Sequence, residues 1–173
     1  MAVVLALGMT ACHTGEQAVA GVAQNAVKAE QKAQARATER DNQRAALAPI
    51  PLPTKSLYVD VHEPSAWTNP FISVGASMIS LHIILADANT SDAGKGTMLR
   101  PAAARTQEVQ LRPADLADAV TAIPASAWPY GRVIAVAEAS STPQDRPKVR
   151  RNVEAAIQQL NDLGIVVEEW PAR

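Results

Sequence analysis

Residues 128–170 read WPYGRVIAVAEASSTPQDRPKVRRNVEAAIQQLNDLGIVVEEW and spell out a strand, a helix and a second strand in succession. The stretch opens on a Pro-Tyr-Gly turn at Pro129, Tyr130 and Gly131. In 132–139, Val133, Ile134, Ala135, Val136 and Ala137 form an unbroken apolar run that covers both faces of an extended chain, as an inner strand requires. After a loop rich in Ser, Thr and Pro, Asp145 is placed to cap a helix with Pro147 in its first turn, where a missing N–H costs nothing. Val149, Val153, Ile157 and Leu160 form one stripe of that helix, and Arg150, Arg151, Glu154, Gln158 and Asn161 fall elsewhere on the wheel. Gly164 supplies the left-handed residue that ends such helices, and Ile165, Val166 and Val167 begin the next strand.

Working back along the chain, 113–123 predicts a second helix: Pro113 stands at its start, Leu116, Val120 and Ile123 form its buried stripe, and Pro124 stops it. Val109 and Leu111 suggest a short strand before it. Residues 87–106 show no periodicity and read as a long loop. Ile79, Leu81, Ile83 and Leu85 alternate with Ser80, His82 and Ile84, so 78–86 is a strand that forms a hairpin with 71–74 through Gly75, Ala76 and Ser77. Leu57, Val59 and Val61 alternate with Tyr58, Asp60 and His62, which predicts a further strand with one wet face. The expected fold is mixed α+β: a small sheet of about five strands with two helices packed on one face.

Proline at 49, 51 and 53 forbids helix and marks a boundary. Before it, 15–47 is rich in Ala, Gln, Lys, Glu and Arg, without proline or aromatic residues, and predicts a long helix or a tether of the same composition. Its alanine stripe offers little surface to dock on a core, and as a helix it would reach on the order of 50 Å. The expected organisation is a signal segment over 1–11, an anchor and spacer over 12–48, a proline-rich linker over 49–54 and a globular domain over 55–173.

The N-terminus carries the strongest functional signal. Residues 1–12 read MAVVLALGMTAC, an apolar run followed by small residues and the chain's one cysteine. The run is too short to span a bilayer, which takes about 20 apolar residues, and suits the end of an export signal. Met9-Thr10-Ala11-Cys12 resembles a bacterial lipobox, although no Lys or Arg precedes the run. The resemblance implies cleavage before Cys12 and its acylation. With His13 rather than Asp next, it also implies the periplasmic face of the outer membrane. Pro129-Tyr130-Gly131-Arg132-Val133 is similar to a segment of the periplasmic domains of TolR and ExbD transport-coupling proteins. An acidic residue usually precedes that segment in those proteins, where this chain has Ser126, Ala127 and Trp128, and no ion-coupling role is carried over.

Composition narrows the chemistry. With 16 Lys plus Arg against 17 Asp plus Glu, no net field recruits nucleic acid. A single cysteine precludes an intramolecular disulfide and a Cys-based zinc site. Gly94-Lys95-Gly96-Thr97 fails as a phosphate loop, because Lys95 is followed by Gly96 and Asn89 occupies the first glycine position. Asp60, His62 and His82 would offer an Asp-His-His metal set if their strands were neighbours in register, and Ser80, His82 and Asp60 the parts of a triad without a nucleophile elbow. Glu168 and Glu169 point to opposite faces of a strand and read as a solubilising chain end. Trp67, Trp128, Tyr130 and Trp170 stand at strand ends, either as an aromatic platform for a partner or as caps on the core with each indole N–H bonded to a loop carbonyl.

The resulting expectation is a non-enzymatic envelope lipoprotein, anchored at Cys12, with no cofactor and no nucleic-acid partner. Its domain would bind an envelope protein or cell-wall component, or serve as a subunit of an envelope complex. The alternative is a small metal-dependent or hydrolytic enzyme built on Asp60, His62 and His82.

Overall fold

A computed structural model of the chain describes residues 13–61, 65–85 and 105–170. The chain divides into two compact units, Met1–Asp41 and Asn42–Arg173. In the first, helix α1 (His13–Leu47) begins, and every residue from 24 to 41 is exposed. No helix among the described residues is long and apolar enough to cross a membrane.

The second unit contains a five-stranded mixed sheet, with β1 (Phe71–Val74), β2 (Ile79–Leu85), β3 (Arg105–Leu111), β4 (Val133–Glu138) and β5 (Val166–Glu169) in the order β3-β2-β1-β4-β5. The β1–β2 and β2–β3 pairs are antiparallel, and β4 runs parallel to both β1 and β5. The hairpin closes where the Gly75 N–H donates to the Met78 carbonyl at 2.9 Å, as the Gly-Ala-Ser stretch predicts.

Two crossovers complete the sheet, through α2 (Leu116–Thr121) and α3 (Arg146–Asp162). Both step across the sheet in the same direction between parallel strands, so the right-handed crossover rule puts both helices on one face. Leu116 and Val120 of α2 and Val149, Val153, Ala156 and Leu160 of α3 are buried there against Ile72, Val74, Ile79, Leu81, Ile134 and Val136. Asn152 adds a polar tie by donating to the carbonyls of Gly75 and Ala76 at 2.9 and 3.0 Å. On the exposed side of α3, Arg150 reaches Glu138, Glu154 and Glu169, whose carboxylates push its guanidinium above the ordinary range.

Three expectations need correction. Residues 57–61, the described part of the expected 57–62 strand, do not form one: Lys55–Leu57 is a turn of 3-10 helix, and Tyr58 N–H donates back to the Lys55 carbonyl at 3.2 Å. At 57–59 burial runs opposite to the apparent alternation, because Tyr58 is buried while Leu57 and Val59 are exposed. Asp145 occupies the first position before α3, but its carboxylate caps no backbone N–H and instead accepts from the Thr142 hydroxyl at 2.8 Å. The folded unit also starts before the proline stretch. Leu47 (0% exposed) and Ile50 (3%) belong to the helix-side core, Gln43 donates to Asp118 at 2.7 Å, and the Arg44 guanidinium donates to the Asp162 carbonyl at 2.5 Å. Residues 42–54 are therefore structural parts of the domain and not a spacer and linker.

Leu47→Ala should lower the stability of the folded unit by about 2–5 kcal/mol, the usual cost of emptying a buried leucine site. Urea unfolding followed by tryptophan fluorescence measures it, and an unchanged midpoint would show that Leu47 lies outside the core.

Candidate functional site

The face of the sheet away from the helices carries a second buried cluster, formed by Tyr58, Trp67, Val133, Ala135 and Trp170 with Val61, Phe71, Tyr130 and Ala137 packed against it. Five of the six aromatic residues of the chain meet here; Trp128 is the exception. Small residues make this possible. Ala135 and Ala137 of β4 leave room over the sheet that larger side chains would fill, and the rings lie on them.

The rings form a connected chain of edge-on and tilted contacts. Trp67 lies 5.3 Å from Tyr130, 5.4 Å from Trp170 and 5.8 Å from Tyr58 between centroids, at interplanar angles of 68°, 82° and 81°. Phe71 joins Trp170 at 5.8 Å and stacks on His82 at 4.1 Å with the rings parallel within 2°. Edge-to-face pairs of this kind contribute about 0.5–1.5 kcal/mol each beyond area burial.

A buried asparagine fixes the cluster to the turn that starts β4. Asn69 is 1% exposed and donates to the carbonyls of Gly131 and Val133, both at 2.8 Å, while its side-chain oxygen accepts from the Tyr130 N–H at 2.8 Å. Gly131 has φ +85°, and a Cβ there would come within 2.8 Å of the carbonyl oxygens of Pro51 and Leu52. The Arg132 N–H donates to the Pro51 carbonyl at 2.9 Å and the Thr54 N–H to the Tyr130 carbonyl at 3.3 Å. The Pro-Tyr-Gly turn thus joins the proline stretch, the 65–70 loop and β4.

The predicted site residues separate. Trp67 and Trp170 share the cluster, but Trp128 packs in the helix-side core, so the three indoles do not line one edge. All three are buried, with Tyr130 half-buried, so they offer no broad platform of open indole faces. The Trp67 N–H donates to the Pro70 carbonyl at 3.1 Å, as a core cap should. The Trp128 and Trp170 N–H groups are buried without an acceptor among the described residues, an omission that costs about 1–3 kcal/mol each when no water supplies one.

The histidine and carboxylate set is also dispersed. Asp60 lies in the turn that follows the 3-10 helix, so the strand that would align it with His62 is absent. His62 lies outside the described residues, as do Cys12 and the 94–97 segment. His82 faces away from the helices on β2, as predicted, and stands beside Glu108 of β3, with Nδ1 to Oε2 at 3.9 Å. Ser80, two residues along, accepts from Gln110 at 2.5 Å. Among the described residues no three His, Cys, Asp or Glu side chains converge as metal ligands would.

Sequence reasoning missed Asn69 and Glu108, and read Glu168 only as part of a solubilising chain end. Glu168 shares its face of β5 with Val166 and acts on Tyr58. Burial first, and then the Glu168 carboxylate, raise the Tyr58 phenol above its ordinary value of 10.0. Comparison with known proteins finds no matching family model, no matching curated protein and no matching solved structure.

The raised phenol has a signed consequence. The folded state holds the Tyr58 proton more tightly than the unfolded chain, so this contribution to stability is complete below about pH 10 and falls as pH rises through the folded value. Absorbance titration should show one of the two tyrosines ionising late, and Glu168→Gln should move that transition to lower pH. An unshifted transition in the Glu168→Gln variant would remove the carboxylate from the account.

Proposed function

We propose that the protein is a non-enzymatic cell-envelope lipoprotein, acylated at Cys12, whose C-terminal domain binds another envelope component. The observation that carries this reading is the Met9-Thr10-Ala11-Cys12 sequence behind an apolar run. Two features of the folded chain support it. Helix α1 is exposed on all sides over residues 24–41, which suits a solvated spacer between an anchor and a domain. The side chains that catalysis would need are instead occupied structurally: His82 stacks on Phe71, and Ser80 is bonded to Gln110. In this reading the domain sits at the periplasmic face of the outer membrane, reached through the acyl chains.

Expression in a Gram-negative host, followed by intact mass measurement and membrane fractionation, tests it. The mature protein should begin at Cys12, carry the added mass of a diacylglyceryl and an N-acyl group, and pellet with membranes, whereas Cys12→Ser should remain unacylated and uncut. Wild-type protein that starts at Met1 without lipid mass would overturn the proposal.

A further inference from the structure

Several exposed aliphatic side chains lie on segments joined to the start of β4 and β5. Leu52 is 68% exposed, Leu57 53%, Val59 41% and Val166 40%. Hydrogen bonds from Arg132 to Pro51 and from Thr54 to Tyr130 hold the strand-like approach of Leu52 beside the start of β4. Val166 is the register partner of Val133, and Val133 packs in one cluster with Tyr58, the residue between Leu57 and Val59. The chain segments that carry Leu52, Leu57 and Val59 are thereby tied to the start of β4, whose register partner is the start of β5.

At the same place the sheet ends. The Val166 N–H donates to the Arg132 carbonyl at 2.9 Å and the Trp170 N–H to the Val136 carbonyl at 2.8 Å. In a parallel ladder the intervening residues face the other way, so the N–H and C=O groups of Val167 and Glu169 point off the sheet. β5 carries neither proline nor lysine, the usual protections of an edge. On the aromatic side the edge presents Val166 and then Glu168, which has no cationic partner among the described residues; Glu169 is held by Arg150 on the helix side.

We propose that this edge of β5 binds an extended polypeptide segment as an added strand. On the side of the aromatic cluster, that segment places an aliphatic residue against Val166, Leu57 and Val59 and a lysine or arginine against Glu168. Main-chain bonds to Val167 and Glu169 supply affinity, and the two side-chain contacts supply selectivity. A second copy of this chain fits poorly. Two of the four residues of β5 are glutamates, and antiparallel pairing of β5 with itself sets Glu168 opposite or diagonal to its own copy, where like charges destabilise. The exposed carboxylate of Asp60, next to Val59, adds to the preference for a basic partner.

This inference gives the partner of the proposed lipoprotein a docking surface and rests on that reading. Its test needs neither acylation nor a membrane, so failure here and failure of the anchor are separate results. The full chain is titrated with acetyl-Thr-Val-Thr-Lys-Thr-Val-Thr-Lys-amide and with the same peptide carrying Glu for Lys, and backbone amides are followed by NMR. The lysine peptide should shift the Val167 and Glu169 amides and slow their hydrogen exchange. Glu168→Lys should weaken it by about three- to tenfold and favour the glutamate peptide instead; Val166→Ser, at an exposed site, should weaken both. Unmoved Val167 and Glu169 amides at millimolar peptide, equal binding of the two peptides, or shifts confined to β3 would each overturn the proposal. So would a concentration-dependent dimer that protects the same amides without peptide.

Discussion

The side chain of Asn69 holds together segments that no regular secondary structure connects. Its three hydrogen bonds to Tyr130, Gly131 and Val133 are made where water is excluded. A buried amide with every such bond in place is strongly directional, and one left without them is costly. The 65–70 loop is thereby fixed against the turn that launches β4, and Trp67 is delivered over the sheet. From the other side Pro51 and Leu52 close on Gly131, whose positive φ and lack of a Cβ permit the approach. The aromatic cluster therefore depends on backbone geometry at one turn as much as on the attraction between rings.

The sheet that results has two unlike faces. The helix side is aliphatic apart from Trp128 and is filled by α2, α3, Leu47 and Ile50. The opposite side is capped over β4 by rings and left polar over β2 and β3, where Gln110 donates to Ser80 and Glu108 and His82 stands beside Glu108. This division explains why β4 is apolar at every position from Val133 to Ala137 while β2 alternates. β4 lies between two cores, and β2 between one core and solvent. A small domain with only one layer of helices gains a second hydrophobic contact in this way, without a further layer of secondary structure.

How far the sequence reveals this depends on the range of the interactions involved. β4, α3 and β5 are readable because each is specified locally, by an apolar run, a helical stripe and Gly164. The β1–β2 hairpin is readable for the same reason. Residues 57–62 mislead because alternation is a reliable sign only when a neighbouring strand exists to bury the chosen side. Here the distant Trp67 and Tyr130 bury Tyr58, and its neighbours Leu57 and Val59 stay outside. The start of the folded unit at Asn42 was hidden by composition, since only Leu47 and Ile50 in a polar and proline-rich context mark it. Of the candidate site, the indoles stood out by their rarity. Their separation into two cores, and the pairing of His82 with Glu108, depend on sheet order and register, which no local pattern encodes.

The perpendicular approach of Trp67 to Trp170 at 5.4 Å makes the domain its own optical reporter. Two indoles this close couple their electronic transitions, so the pair contributes a circular-dichroism couplet in addition to the backbone signal. The couplet reports a single junction, between the loop fixed by Asn69 and the residue that follows β5. A compact state that kept its helices but lost ring packing would retain the backbone spectrum and lose the couplet. Loosening of this one corner is therefore distinguishable by light alone from unfolding of the whole chain.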